Sequence, residues 1–145
     1  MKKSLYGVIV SLFVAVYGHG ATRTWTGDGA DGKWSTAANW GGTAPVANDS
    51  LVFAGTKNLL TVNDLSDGMR FTNVTFNAGA GAFSLSGNRF LLAGSLANNG
   101  QATQTVACTV SITDSRTVHT LDPVVFSDAL DYQPTASSMI YKTGS

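Results

Sequence analysis

Glutamate is absent from this 145-residue chain: all nine acidic residues are aspartate. Glutamate and lysine supply most of the exposed face of an ordinary helix, so little is available here for solvated helices. Thr, Asn, Ser, Gly and Val fill that space, which favours strands and turns. Charge is scarce as well. Only 12% of residues are charged and nine basic side chains balance the nine acidic ones, which excludes the basic footprint of a nucleic-acid-binding protein. Cys108 is the single cysteine, so neither an internal disulfide framework nor a multi-cysteine zinc site can form. Beyond residue 21 no apolar run approaches the roughly 20 residues a membrane-spanning helix needs. What remains is about one domain's length of all-β chain.

The first 21 residues stand apart. A basic Met1-Lys2-Lys3 precedes a twelve-residue apolar run from Leu5 to Val16, and Gly18-His19-Gly20-Ala21 follows with small residues. The run is too short for a span and the right length for a secretory signal peptide, with cleavage expected after Gly20 or after Ala21. Removing 1–21 takes Lys2 and Lys3 away and leaves a mature chain with a formal charge of −2. An exported protein with one cysteine has no internal disulfide to rely on.

In the mature chain, residues 22–50 read as a loop-like section that holds all three tryptophans, Trp25, Trp34 and Trp40. From Leu51 onward, short apolar runs are separated by Gly, Asn and Asp. Strands are expected at 50–54, 59–63, 71–77, 82–86, 90–96, 104–113 and 116–121, with turn chemistry between them. Val106, Cys108, Val110 and Ile112 make the longest period-two run, which aims Cys108 inward as a small hydrophobe. No helical stripe is sustained, and Pro123 and Pro134 limit any helix in the doubtful stretch near residues 122–132. Strand centres near 53, 62, 75, 84 and 108 suggest a pair of strands recurring about every 22 residues, within the 20–50 range of solenoids. A β-sandwich is the alternative.

Three stretches resemble the autotransporter-associated β-strand repeat proteins, exported bacterial proteins with long β-helical passengers. The first combines Thr24-Trp25-Thr26-Gly27, Lys33-Trp34-Ser35-Thr36-Ala37-Ala38-Asn39-Trp40, Pro45 and Asp49-Ser50-Leu51-Val52-Phe53-Ala54-Gly55. The second joins Asn63-Asp64-Leu65 to the run from Val74 through Asn88, and the third comprises Leu92-Ala93-Gly94, Asn98-Asn99-Gly100 and Gln104-Thr105-Val106. Together they cover most of 22–113 and are similar to the start of such proteins. The resemblance implies a right-handed parallel β-solenoid (β-helix) beginning with a Trp-rich N-terminal cap. It divides the chain into a signal peptide (1–21), the cap (22–50), solenoid rungs (51–121) and an irregular segment (122–145) leading into a further repeat at Tyr141-Lys142-Thr143-Gly144-Ser145. Family members run on through many repeats to a membrane barrel or sorting signal, so this chain is expected to be a truncated member or a short relative. The implied role is structural or adhesive, secreted or at the cell surface or outer membrane, with extracellular glycans or cell-surface components as partners, and with no catalysis or cofactor.

Each candidate for chemistry has a plainer reading beside it. His119 is the only histidine after the signal; Asp114 and Asp122 lie near it, but no Gly-x-Ser-x-Gly elbow accompanies them. The pairs Asp28 and Asp31, Asp64 and Asp67, and Asp128 and Asp131 are of the kind a β-helical lyase or hydrolase would use, yet all fall in turns where Asp serves the backbone. Thr26–Gly32 offers oxygen ligands for calcium without either the EF-hand spacing or the β-roll repeat, so no metal site is assigned. Trp34 and Trp40 are the candidate ligand-binding residues. They are expected either to plug the open end of the solenoid or, if exposed, to form the stacking platform of a carbohydrate-binding module.

Overall fold

A computed structural model describes residues 20–112, 116–120, 124–127, 130–132 and 140–143. The apolar leader at 1–19 lies outside the described residues, as do Asp114, Asp122 and Asp128.

The described residues are all-β, with one short 3-10 helix at Ala37–Trp40, and build three sheets. The first sheet holds β1 (Thr22–Trp25), β2 (Ser50–Phe53), β5 (Val74–Phe76), β8 (Leu96–Asn98), β11 (Arg116–Thr120) and β14 (Ile140–Thr143), in that spatial order. The second runs β3 (Leu60–Asn63), β6 (Ser84–Gly87), β9 (Gln104–Val106) and β12 (Val124–Phe126). The third runs β4 (Met69–Phe71), β7 (Phe90–Leu92), β10 (Val110–Ile112) and β13 (Leu130–Tyr132). From β2 onward the chain visits the three sheets in strict rotation. All pairings between the described strands are parallel. A β-sandwich of antiparallel sheets is therefore not what this sequence builds.

Register shows why the spacing in the sequence is regular. Leu51 lies beside Val74 and Val74 beside Leu96, so a return to the first sheet takes 23 and then 22 residues. Each circuit contains three short strands, where the sequence suggested two. The runs expected at 71–77, 90–96 and 104–113 each straddle a corner and contribute to two sheets. In the last of them alternation continues through the bend: Val106, Cys108 and Val110 are all buried although Val106 and Val110 belong to different sheets. The segment expected to be irregular, 122–145, contributes β12, β13 and β14.

Inward side chains stack from one circuit to the next. Leu51, Val74 and Leu96 form one row, and Phe53 stacks on Phe76 with ring centroids 5.4 Å apart. Phe71 and Leu92 run beside Ile112 in the third sheet. Among the described residues, the buried apolar side chains of all three sheets belong to one cluster, Cys108 among them. Parallel strands buried on one face and bonded on both edges need no helices to cover the inner side, because the opposing sheets do so.

Corners are stitched by short amide side chains. Asn73 Oδ1 accepts from the Ser95 amide at 2.9 Å and its hydroxyl at 3.1 Å. Asn63 Nδ2 donates to the Asn88 carbonyl, and Asn88 Nδ2 to that of Leu65. Gln104, fully buried, accepts from the Phe83 amide and donates to the Gly81 and Ala102 carbonyls. A corner has backbone groups that no ladder satisfies, and these side chains complete them. Gly87 sits at such a corner with φ +96°, and a Cβ there would come 2.4 Å from the Asn63 carbonyl oxygen. Only glycine meets both demands.

Candidate functional site

The section before β2 is not a free loop. Residues 22–25 form β1 and pair along the whole of β2. Residues 32–34 then lie along β3: Trp34 N–H donates to the Val62 carbonyl at 3.0 Å and Val62 N–H to that of Gly32 at 2.8 Å. Residues 48–49 lie along β4, where Asn48 N–H donates to the Arg70 carbonyl and Thr72 N–H to that of Asp49. One circuit of chain thus covers the first edge of all three sheets. The sequence reading missed β1 and both of these edge contacts.

The three tryptophans close the core inside this circuit. Trp25 and Trp34 are fully buried and Trp40 is 5% exposed. Trp40 meets Trp25 edge-on at 5.0 Å and Trp34 edge-on at 6.1 Å. Trp34 lies against Phe53, Phe71 and Phe90, so one indole touches the first and third sheets together. Each indole N–H has an acceptor: Trp25 the Lys57 carbonyl, Trp34 the Thr61 hydroxyl, Trp40 the Trp34 carbonyl. These partners explain how three large amphipathic rings enter a core without an unmet donor. They also correct one expectation. A sugar-stacking platform needs an exposed ring face, and neither Trp34 nor Trp40 offers one.

Buried polar side chains fasten the circuit. Asn39, fully buried, accepts from the Gly29 amide and donates to the Asp31 and Lys33 carbonyls, knitting 29–39 into one loop. Asp49, 2% exposed, accepts from Ala21 N–H at 2.7 Å, Arg23 Nε at 2.8 Å and Val46 N–H at 3.1 Å. Burial alone would raise its pKa, but the Arg23 guanidinium and the two amides hold it below the ordinary carboxylate value. Asp64 ties the same circuit to β3, taking both the hydroxyl and the amide of Ser35. Burial pushes its carboxyl up, but the two Ser35 bonds, its own backbone amide and the nearby Lys33 charge together hold it low. Sequence reasoning overlooked Asn39 and Asp49 as anchors. The available signal was position: each precedes an aromatic or apolar element and sits among small residues.

The other candidates are dispersed. Asp28 takes Lys57 Nζ at 2.7 Å, which lowers its pKa. Asp31 accepts from the Lys33 amide and the Thr36 hydroxyl, with the same effect. Asp67 pairs with Arg89 at 3.0 Å. Asp28 and Asp67 brace one turn against another, while Asp31 fastens its own loop. Among the described residues no group of three or more His, Cys or Asp side chains is placed to hold a metal. His119 falls on β11 and Asp131 on β13, in different sheets. An open groove between the corners at 78–80 and 99–102 is lined by Ala, Gly, Asn and Gln, none ionisable. Among the described residues no helix is long and apolar enough to cross a membrane. No family model, curated protein or solved structure matches the chain.

Proposed function

We propose that this chain is the capped N-terminal end of an exported parallel β-solenoid with a structural or adhesive role at the cell surface. The observation that carries the reading is the rotation through three parallel sheets, started by a circuit that covers every first edge. Repeat architectures need an atypical terminal unit, because an uncovered rung exposes both its core and its strand edges. The Trp25, Trp34 and Trp40 cluster supplies the core cover, and residues 32–34 and 48–49 supply the edge cover. A right-handed winding is what the resemblance to the autotransporter-associated β-strand repeat proteins implies.

The outer face of the first sheet suits an extended presentation surface. Thr24, Val52, Thr75 and Ala97 stand side by side in register; beside them Thr22 pairs with Ser50, and the Asn73 side chain bonds both Ser50 and Ser95. Across β1, β2, β5 and β8 this row is small and uncharged, with His119 next in register after Ala97, which favours weak repeated contacts with glycans or cell-surface components over a single deep site. The basic, then apolar, N-terminal segment supports export, and no reaction is assigned.

Protease shaving of intact cells that make the full chain tests the reading. Loss of the chain from intact cells, or its recovery from the medium, is the expected outcome. Full protection until the cells are lysed, with the chain in the cytoplasmic fraction, would contradict it.

A further inference from the structure

The peptide bond between Gly20 and Ala21 stands at the border between leader and fold. Ala21 is the first of the described residues bound on both sides: its N–H donates to Asp49 Oδ1 at 2.7 Å and its carbonyl accepts from Ser50 N–H at 2.9 Å. Gly20 runs so close to Asn48 that a Cβ there would fall 1.8 Å from the Asn48 carbonyl oxygen. The path of residue 20 past Asn48 therefore suits glycine alone.

We propose that the chain is cut between Gly20 and Ala21, and that the α-ammonium freed on Ala21 docks on the buried Asp49 carboxylate as an ion pair. This deepens the export reading and rests on it. Hydrolysis adds one water across the amide: the leader leaves with a carboxylate on Gly20, and the Ala21 amine takes up a proton at neutral pH. The donor stays where the amide N–H already sits, and its bond to Asp49 becomes charge-assisted on both sides. Asp49 then holds two cations, Ala21 on Oδ1 and Arg23 on Oδ2, so the start of β1 is locked by the product of processing.

Two observations favour this bond over the next one. Gly18-His19-Gly20 places small residues at the first and third positions before the cut, as a leader peptidase requires, whereas a cut after Ala21 puts His19 at the third. A cut after Ala21 would also remove both the donor to Asp49 and the acceptor of Ser50 N–H.

Intact mass and N-terminal sequencing of the exported chain test the cut. A start at Ala21 is expected; a start at Thr22 or elsewhere overturns the inference and leaves export standing. A chain neither cut nor exported overturns both. The ion pair is tested on the chain beginning at Ala21, by comparing Tm before and after selective acetylation of the α-amine, which keeps an N–H and removes the charge. Acetylation is expected to lower Tm, and to cause a smaller shift in Asp49→Asn. An unchanged Tm on acetylating the wild-type chain overturns the docking, whether or not the variant folds.

Discussion

The indole N–H of Trp34 donates to the hydroxyl of Thr61 at 3.1 Å, both groups buried, across 27 positions of sequence. That bond joins the covering circuit to the first strand of the second sheet. It explains why a threonine occupies an inward position whose counterparts in later circuits, Leu85 and Val106, are apolar. The polar inward residue belongs to the tryptophan.

Thr61→Val keeps the shape of the site and leaves the indole N–H buried without an acceptor, at a cost of about 1–3 kcal/mol. Thr61→Ser keeps the bond and loses one methyl, about 1 kcal/mol. Urea unfolding midpoints of the two variants measure the difference. A Thr61→Val chain as stable as the wild type would mean that the hydroxyl contributes nothing.

Trp34→Ala removes the ring that bridges two sheets and leaves a cavity, with an expected loss of about 3–5 kcal/mol. In the folded wild-type chain, iodide should barely quench tryptophan emission, because all three indoles are buried. Strong quenching under native conditions would restore the exposed platform that the burial denies.

Asp49 makes stability depend on acid pH. Its folded pKa lies below the unfolded value of about 3.9. Its contribution is therefore present above that unfolded value and is lost as pH falls through the folded one. Asp64 acts in the same sense. Chemical denaturation between pH 6 and the acid limit should show wild-type stability falling below about pH 4. Asp49→Asn should have a flatter curve in that window and be less stable by about 1.5–3 kcal/mol at neutral pH.

Gly87→Ala combines a positive φ with a Cβ placed 2.4 Å from a backbone oxygen. Gly55→Ala has a comparable φ of +75° but open space around the new methyl. The second should cost about 1–2 kcal/mol from the backbone alone, and the first clearly more. Thermal unfolding of the pair separates conformational strain from steric contact.

Strand character was legible because alternation marks it locally: Phe83 and Leu85 against Ser84, or Val74 and Phe76 against Thr75. Corners were harder to read. Where Ala107 and Thr109 flank Cys108, the inward-outward pattern passes through the bend unbroken, so one run concealed two strands. Parallel partners lie about 22 residues apart, and nothing in the local pattern around Thr22–Trp25 reveals that β2 is waiting 28 positions on. The tryptophans were legible as a unit, but their burial depends on acceptors such as Lys57, Thr61 and Trp34 that only the assembled circuit supplies.

The central claim is that residues 32–34 and 48–49 cover the first edges of the second and third sheets. Residue-resolved amide hydrogen exchange on the native chain tests it most directly. Val62 and Thr72 donate to the Gly32 and Asp49 carbonyls, so their amides should exchange as slowly as Ser84 and Val74 in the interior. Exchange of Val62 and Thr72 at the rate of an open strand edge would contradict the account.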